Sequence, residues 1–259
     1  QRAGGDLGLP AAAVRLPRVA AAMLLLVAVA AAPRQAAAYR PFDGTDAAVA
    51  DKGDMEIELG PVGFERDGAE RRLIAPAARL NYGFAERWEA VLEGQWEHGL
   101  SGGTRRSSLV GNAASLKGVL REGSLQERPG PSVATEAALL LPGLGDESGT
   151  GGSLTGIVSQ QWPLVTVHLN LAATVTREQH GDYFVSTIVE GPRDWPVRPV
   201  AEVFHERDFG TFKTTSGLIG AIWQVRRNLA FDAAFRHASI NDHTQDEVRA
   251  GLTFSFPLR

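Results

Sequence analysis

From Asp54 to Phe256, apolar residues alternate with polar or small ones in runs of about ten, and clusters of Gly, Asp, Asn, Ser and Pro separate the runs. A period of two is the signature of strands whose successive side chains point to opposite faces of a sheet. Between Trp88 and Glu97, for instance, Trp88, Ala90, Leu92, Gly94 and Trp96 share one face, while Glu89, Val91, Glu93, Gln95 and Glu97 share the other. The run Val248 to Phe256 sets Val248, Ala250, Leu252, Phe254 and Phe256 against Arg249, Gly251, Thr253 and Ser255. Leu229, Phe231, Ala233 and Phe235 likewise oppose Asp232 and Ala234.

The pattern predicts twelve strands, near 54–64, 72–82, 87–97, 107–119, 132–141, 152–162, 164–176, 182–190, 196–206, 214–225, 228–238 and 246–256. Such runs exceed the usual soluble strand of about 5–6 residues and match the roughly 9–11 that cross a bilayer at a tilt. Even-numbered connections are mostly tight, at 83–86, 162–163, 191–195 and 226–227. Odd-numbered ones are longer and polar, at 65–71, 98–106, 142–151, 177–181, 207–213 and 239–245. That is the arrangement of short periplasmic turns and longer external loops in a membrane barrel. The stretch 121–130 departs from it, being long on the short side, and Pro76 and Pro199 each cost a predicted strand one ladder hydrogen bond.

Alternation alone fits a soluble sandwich with its apolar face inward as well as a barrel with that face on lipid. Charge then sets the register of the barrel. A basic side chain on the lipid face costs about 2–4 kcal/mol near the midplane, and acids somewhat less, so such groups belong in the lumen. Glu56, Glu58, Arg79, Glu89, Glu93, Glu97, Glu136, Glu202, Asp232 and Arg236 are the expected lumen-facing residues. The stripe Glu89, Glu93, Glu97 with Glu56 and Glu58 would favour cations, unless its acids are paired by Arg79 or Arg236. A lumen of about twelve strands lies between one filled by side chains and an open channel, so a narrow or loop-plugged passage is expected.

The start of the chain changes the compartment. Arg15 and Arg18 precede an apolar run of 14 residues, Val19 to Ala32, and Ala36, Ala37 and Ala38 follow. This is the order of a secretory signal, with cleavage expected after Ala38. The domain reading is therefore residues 1–38 as N-terminal extension and signal peptide, 39–53 as a periplasmic N-terminal segment, and 54–259 as the barrel. Removal of residues 1–38 takes four arginines and one aspartate and moves the net charge from -4 to -7. An acidic mature chain argues against nucleic acid as a partner. Beyond residue 38 no apolar run is long enough for a membrane-spanning helix, and there is no cysteine for a disulfide, a thiol nucleophile or a thiolate metal site.

Six histidines raise the question of catalysis, but no G-x-S-x-G elbow is present. His98 and Ser101 sit in a Gly-rich loop, His205-Glu206-Arg207-Asp208 reads as a strand-to-loop boundary, and His237 and His243 lack the spacing of a zinc pair. The glycines at 143, 145, 149, 151 and 152 are followed by neither the lysine nor the helix of a phosphate loop. No catalytic, cofactor-binding or metal residue is assigned, and no enzymatic activity or cofactor is expected.

The stretch Tyr39-Arg40-Pro41-Phe42-Asp43-Gly44-Thr45-Asp46-Ala47, the strand Met55-Glu56-Ile57-Glu58-Leu59-Gly60, the Asn81-Tyr82-Gly83-Phe84 turn with Glu86-Arg87-Trp88-Glu89, and the ending Ala250 to Phe256 together resemble one outer-membrane family. It is the phenol-degradation-pathway (MetA-like) transporter family of β-barrels, and the likeness spans residues 40 to 256. The resemblance implies passive passage of small solutes, aromatic or hydrophobic ones among them, across the outer membrane. Its implied partners are outer-membrane lipids, the barrel-assembly machinery and the solutes themselves. A non-conducting structural or adhesive barrel, and a soluble periplasmic all-β binding protein, are the alternatives.

Overall fold

A computed structural model describes residues 40–101, 106–145, 147–210 and 212–258. The expected signal peptide and N-terminal extension lie outside the described residues. The described chain forms twelve antiparallel strands: β1 (Asp54–Asp67), β2 (Glu70–Ala85), β3 (Trp88–Gly99), β4 (Ser107–Arg121), β5 (Ser132–Leu140), β6 (Gly151–Gln161), β7 (Thr166–Val175), β8 (Gly181–Glu190), β9 (Val197–Asp208), β10 (Lys213–Arg226), β11 (Leu229–Ile240) and β12 (His243–Pro257). Each pairs with its sequence neighbours, and β12 returns to β1 from Asp54↔Pro257 to Asp67↔Gln245, closing the barrel. Closure leaves no sheet edge unpaired, which a lipid environment requires.

The polarity of the barrel is inverted relative to a soluble fold. Large apolar side chains line its outside, with Leu171 61% and Ile219 67% exposed, whereas Glu89 and Lys117 inside have no exposed surface. A soluble β-domain cannot leave such a belt bare, and no helix among the described residues is long and apolar enough to cross a membrane. Strands do the crossing, so the fold is a transmembrane β-barrel of the outer-membrane type. Trp88, Trp162, Trp195 and Trp223 stand exposed toward the end that carries Asp54 and Pro257, called the periplasmic end here. Trp96 lies toward the other end, so indole rings stand at both rims, where their amphipathic character suits a membrane interface.

All twelve strands fall where the alternation places them, but several run on into their turns. The expected loop at 65–71 is a two-residue turn, Gly68-Ala69, and the one at 239–245 shrinks to Asn241-Asp242. Cross-strand ion pairs, Arg72–Glu65 at 2.9 Å and Arg66–Asp246 at 2.9 Å, hold these charged extensions together. Pro76 sits where the β2–β3 register slips between Ile74 and Ala77, so no ladder bond is lost there. The carbonyl of Pro199 accepts from Gly191 N–H, just past the last β8–β9 pair. A bulge in β1 between Leu59 and Val62 resets its phase, so that Glu58 and Glu65 both face the lumen despite their odd separation.

The segment before β1 departs from the sequence expectation. The sequence reading assigns residues 39–53 to the periplasm, yet from Arg40 onward the segment lies inside the lumen, with Ala47 fully buried. Its irregular backbone exposes N–H groups that need acceptors, and the inward carboxylates and amides of the wall supply them.

Candidate functional site: the plugged lumen

The segment 40–53 girdles the inner wall. From Asp54 it leaves the periplasmic rim, where Gly53 N–H bonds the carbonyl of Gly83 at 2.7 Å. Ala50 N–H donates to Glu89 of β3 at 2.7 Å and Ala47 N–H to Ser159 Oγ of β6 at 2.9 Å. Thr45 N–H donates to Asn170 Oδ1 of β7 at 3.1 Å, and the amide of Asn170 returns a bond to the Thr45 carbonyl at 2.9 Å. Glu202 of β9 accepts from Asp43 N–H at 2.7 Å and Gly44 N–H at 2.8 Å, and Glu58 of β1 accepts from Arg40 N–H at 3.1 Å. The plug is thus held mainly through its backbone. A bond to a charged acceptor contributes about 1.5–3 kcal/mol, twice a neutral one.

Side chains reinforce the grip at two places. Lys117 of β4 lies 3.4 Å from Asp46 and 3.7 Å from Glu89, with Thr45 Oγ1 at 3.3 Å. Burial pushes the Asp46 carboxyl up, but the Lys117 and His168 charges and hydrogen bonds from Ala48 N–H and Lys117 outweigh it, leaving it below the usual aspartate range. At the other end Arg249 of β12 donates through Nη2 to Asp43 at 2.8 Å and through Nη1 to the Pro41 carbonyl at 2.8 Å. Enclosure in the lumen pushes Asp43 up, and Arg249, Arg236 and Arg40 more than reverse it. Arg40 itself pairs with buried Asp232 at 3.5 Å and lies so close over Gly251 that a side chain there would strike its guanidinium.

The lumen wall is divided. Phe42 of the plug packs on an apolar patch of Val200, Ile222 and Ala230, and Ala47 packs with Ala134, Ile157 and Leu125. Elsewhere the wall is charged. The ten residues expected in the lumen are distributed as follows. Arg79 bridges Glu93 at 2.9 Å and Glu136 at 3.1 Å, joining three strands. Glu97 meets Arg72 at 3.3 Å, and Arg236 meets Glu247 at 2.9 Å. Glu58, Glu89, Glu202 and Asp232 contact the plug, while Glu56 borders a cavity on its periplasmic side. The acidic stripe is therefore interleaved with bases: Glu89 faces Lys117, Glu93 faces Arg79 and Glu97 faces Arg72.

Sequence reasoning missed Arg40, Asp43, Lys117, Ser159, His168, Asn170 and Arg249. Those on strands carry the same signal as the ten expected residues, a polar side chain on the inward phase. The chain Glu190–His168–Ser159 shows what that phase builds. His168 Nε2 lies 3.0 Å from Glu190 and Nδ1 2.7 Å from Ser159 Oγ, which takes the Ala47 N–H. The carboxylate thus fixes the ring, and the ring fixes the hydroxyl. Two cavities remain beside the plug. One of about 430 Å³ is lined by Arg40, Phe42, Glu58, Arg79, Arg236 and Arg249. The other, of about 390 Å³, opens at the periplasmic side against Val49, Ala50, Glu56 and Leu125.

A closed barrel with an apolar exterior, a charged bore and its own N-terminal segment wound inside defines a class, the plugged outer-membrane barrel. No family model and no curated protein matches the chain. Among solved structures it is similar to an outer membrane channel from Pseudomonas putida F1, with a TM-score of 0.63 at 11% identity over 83% of this chain and 100% of that one. It is also similar to the NanC porin, with a TM-score of 0.54 at 7% identity over 77% and 98%, and to the KdgM porin in complex with disordered oligogalacturonate, with 0.53 at 12% over 78% and 99%. At these identities the likeness is one of fold.

Proposed function

We propose that the protein is an outer-membrane channel for passive passage of small solutes, closed by residues 40–53. The observation that carries this reading is the plug's mode of attachment. A permanent core would be sealed by extensive apolar packing, whereas this segment is held mainly by backbone hydrogen bonds to wall side chains and a few ion pairs, between cavities of about 430 and 390 Å³. The likeness in fold to an outer membrane channel and to two porins supports it. Membership of the phenol-degradation-pathway family is the finer form of the reading, supported by the Arg40-Pro41-Phe42 and Thr45-Asp46 stretch, which here forms the plug.

Planar-bilayer recording of the full chain and of a variant lacking residues 41–50 tests the proposal. The deletion is expected to raise single-channel conductance several-fold. A deleted barrel that still migrates as folded but carries no current would establish a non-conducting structural barrel instead. Because the stripe acids are interleaved with bases, Glu93→Gln is expected to shift the reversal potential toward anions only slightly, and a large shift would show that the stripe sets selectivity.

A further inference from the structure

Two adjacent plug residues occupy two chemically different seats on one side of the lumen. The Phe42 ring lies on Val200, Ile222 and Ala230, an apolar patch in a largely polar wall. The Asp43 carboxylate lies on Arg249. Glu247 already holds one edge of that guanidinium, taking Nε at 2.7 Å and Nη2 at 3.0 Å. What Arg249 offers the plug is its outer edge, with Nη1 on the Pro41 carbonyl and Nη2 on Asp43. Those two donors form the fork that a single carboxylate grips with both oxygens. The cavity of about 430 Å³ borders both plug residues and the arginine, being lined by Phe42, Asp43 and Arg249.

We propose that the seats of Phe42 and Asp43 form a binding site for a small aromatic carboxylate, which the plug mimics and which displaces residues 41–43. The ring takes the patch between β9, β10 and β11, and the carboxylate spans Nη1 and Nη2 of Arg249. Neither group alone is a match. A neutral arene leaves Nη1 of Arg249 without the acceptor that the plug supplies, and an aliphatic acid leaves the patch uncovered. Glu202 and Asp232 stand beside the site and disfavour a second negative charge, so a monocarboxylate fits and a dicarboxylate does not. The inference rests on the channel reading for the ligand's route to the lumen, but binding itself needs no current.

The test is calorimetric titration of the detergent-purified full chain carrying Phe42→Ala and Asp43→Ala, with benzoate, phenylacetate and 3-phenylpropanoate as probes and acetate and toluene as controls. At least one aromatic acid is expected to bind roughly tenfold more tightly than either control, and roughly tenfold more tightly than to the unaltered chain, where the plug competes. Adding Arg249→Gln should remove the preference for the acid over toluene. If no aromatic acid is distinguished from both controls, the site is overturned. Should the double variant fail to migrate as a folded barrel, Phe42→Ala alone serves. It must then bind toluene more tightly than the unaltered chain does, and failure to do so overturns the apolar seat. Current through the same double variant separates the two readings: binding without conduction sinks the channel and leaves the site, and conduction without binding does the reverse.

Discussion

Lys117 is a long, flexible cation with no surface open to solvent, an arrangement a chain keeps only where opposite charge surrounds the ammonium. Asp46 of the plug and Glu89 of β3 supply that charge, so Lys117 joins plug to wall. Lys117→Ala strands two carboxylates in a closed space, a loss of about 3–5 kcal/mol when a buried pair is broken. The variant is expected to leave the plug loose, read as a higher open probability in bilayers and a lower temperature at which the unboiled gel band converts. Acid should act in the same direction. Asp43 and Asp46 both titrate below the ordinary aspartate value of 3.8, so their contribution to plug binding is fully present above it and is lost as pH falls through their depressed values. The groups facing them are Arg40, Arg236 and Arg249 around Asp43, with Glu202 and Glu247 nearby, and Lys117, Glu89 and His168 around Asp46. Channel opening should therefore rise steeply below pH 4 and reverse on neutralisation, and a flat record from pH 6 to pH 3 would show that these carboxylates do not hold the plug.

Among the elements, the connection 122–131 is the one whose length the barrel pattern does not explain. Its short 3₁₀ turn, Ser124–Gln126, accounts for it. Gln126 Nε2 donates to the Ala47 carbonyl at 3.0 Å, and Leu125 packs against the cluster of Ala47, Ala134 and Ile157, so the connection folds back over the plug. Replacing it with a tight turn should leave the folded gel band intact while raising conductance. If conductance stays at the level of the unaltered chain, the turn plays no part in closure. The strand β2 offers a milder test, because the plug passes so close over Gly83 that any β-carbon there meets the carbonyls of Ala50 and Asp51. Gly83→Ala should push the segment away from the rim and open the channel without touching a charge. The sequence reveals strands more readily than it reveals these contacts. Alternation is read from neighbouring residues, and the lipid enforces it, but it lapses beyond the membrane. Glu65, Arg66 and Asp67 thus look like loop while they continue β1. The plug has no period at all, and its acceptors, Ser159, Asn170 and Glu202, appear in the sequence only as inward polar positions. Their common partner is a matter of three-dimensional placement.

For the whole molecule, the inverted distribution of polarity makes a simple expectation. Leu171 stands on the outer face in the middle of β7, and Leu171→Arg should cost about 2–4 kcal/mol in a bilayer. Heat-modifiability in detergent and in lipid would show the cost. A loss confined to the lipid sample fits a membrane-facing position, and no loss in either would contradict it. The count of twelve strands is legible because one rule, apolar out and polar in, governs every strand. The contents of the bore follow no such rule. One of those contents bears on how the molecule is made. The plug precedes β1 and lies within the ring that β1 and β12 close. Once that seam is zipped, the segment cannot be laid in from the side. It must either be enclosed as the last strand docks or be drawn in lengthwise through the periplasmic mouth, so the order of folding steps is constrained by topology as well as by energy.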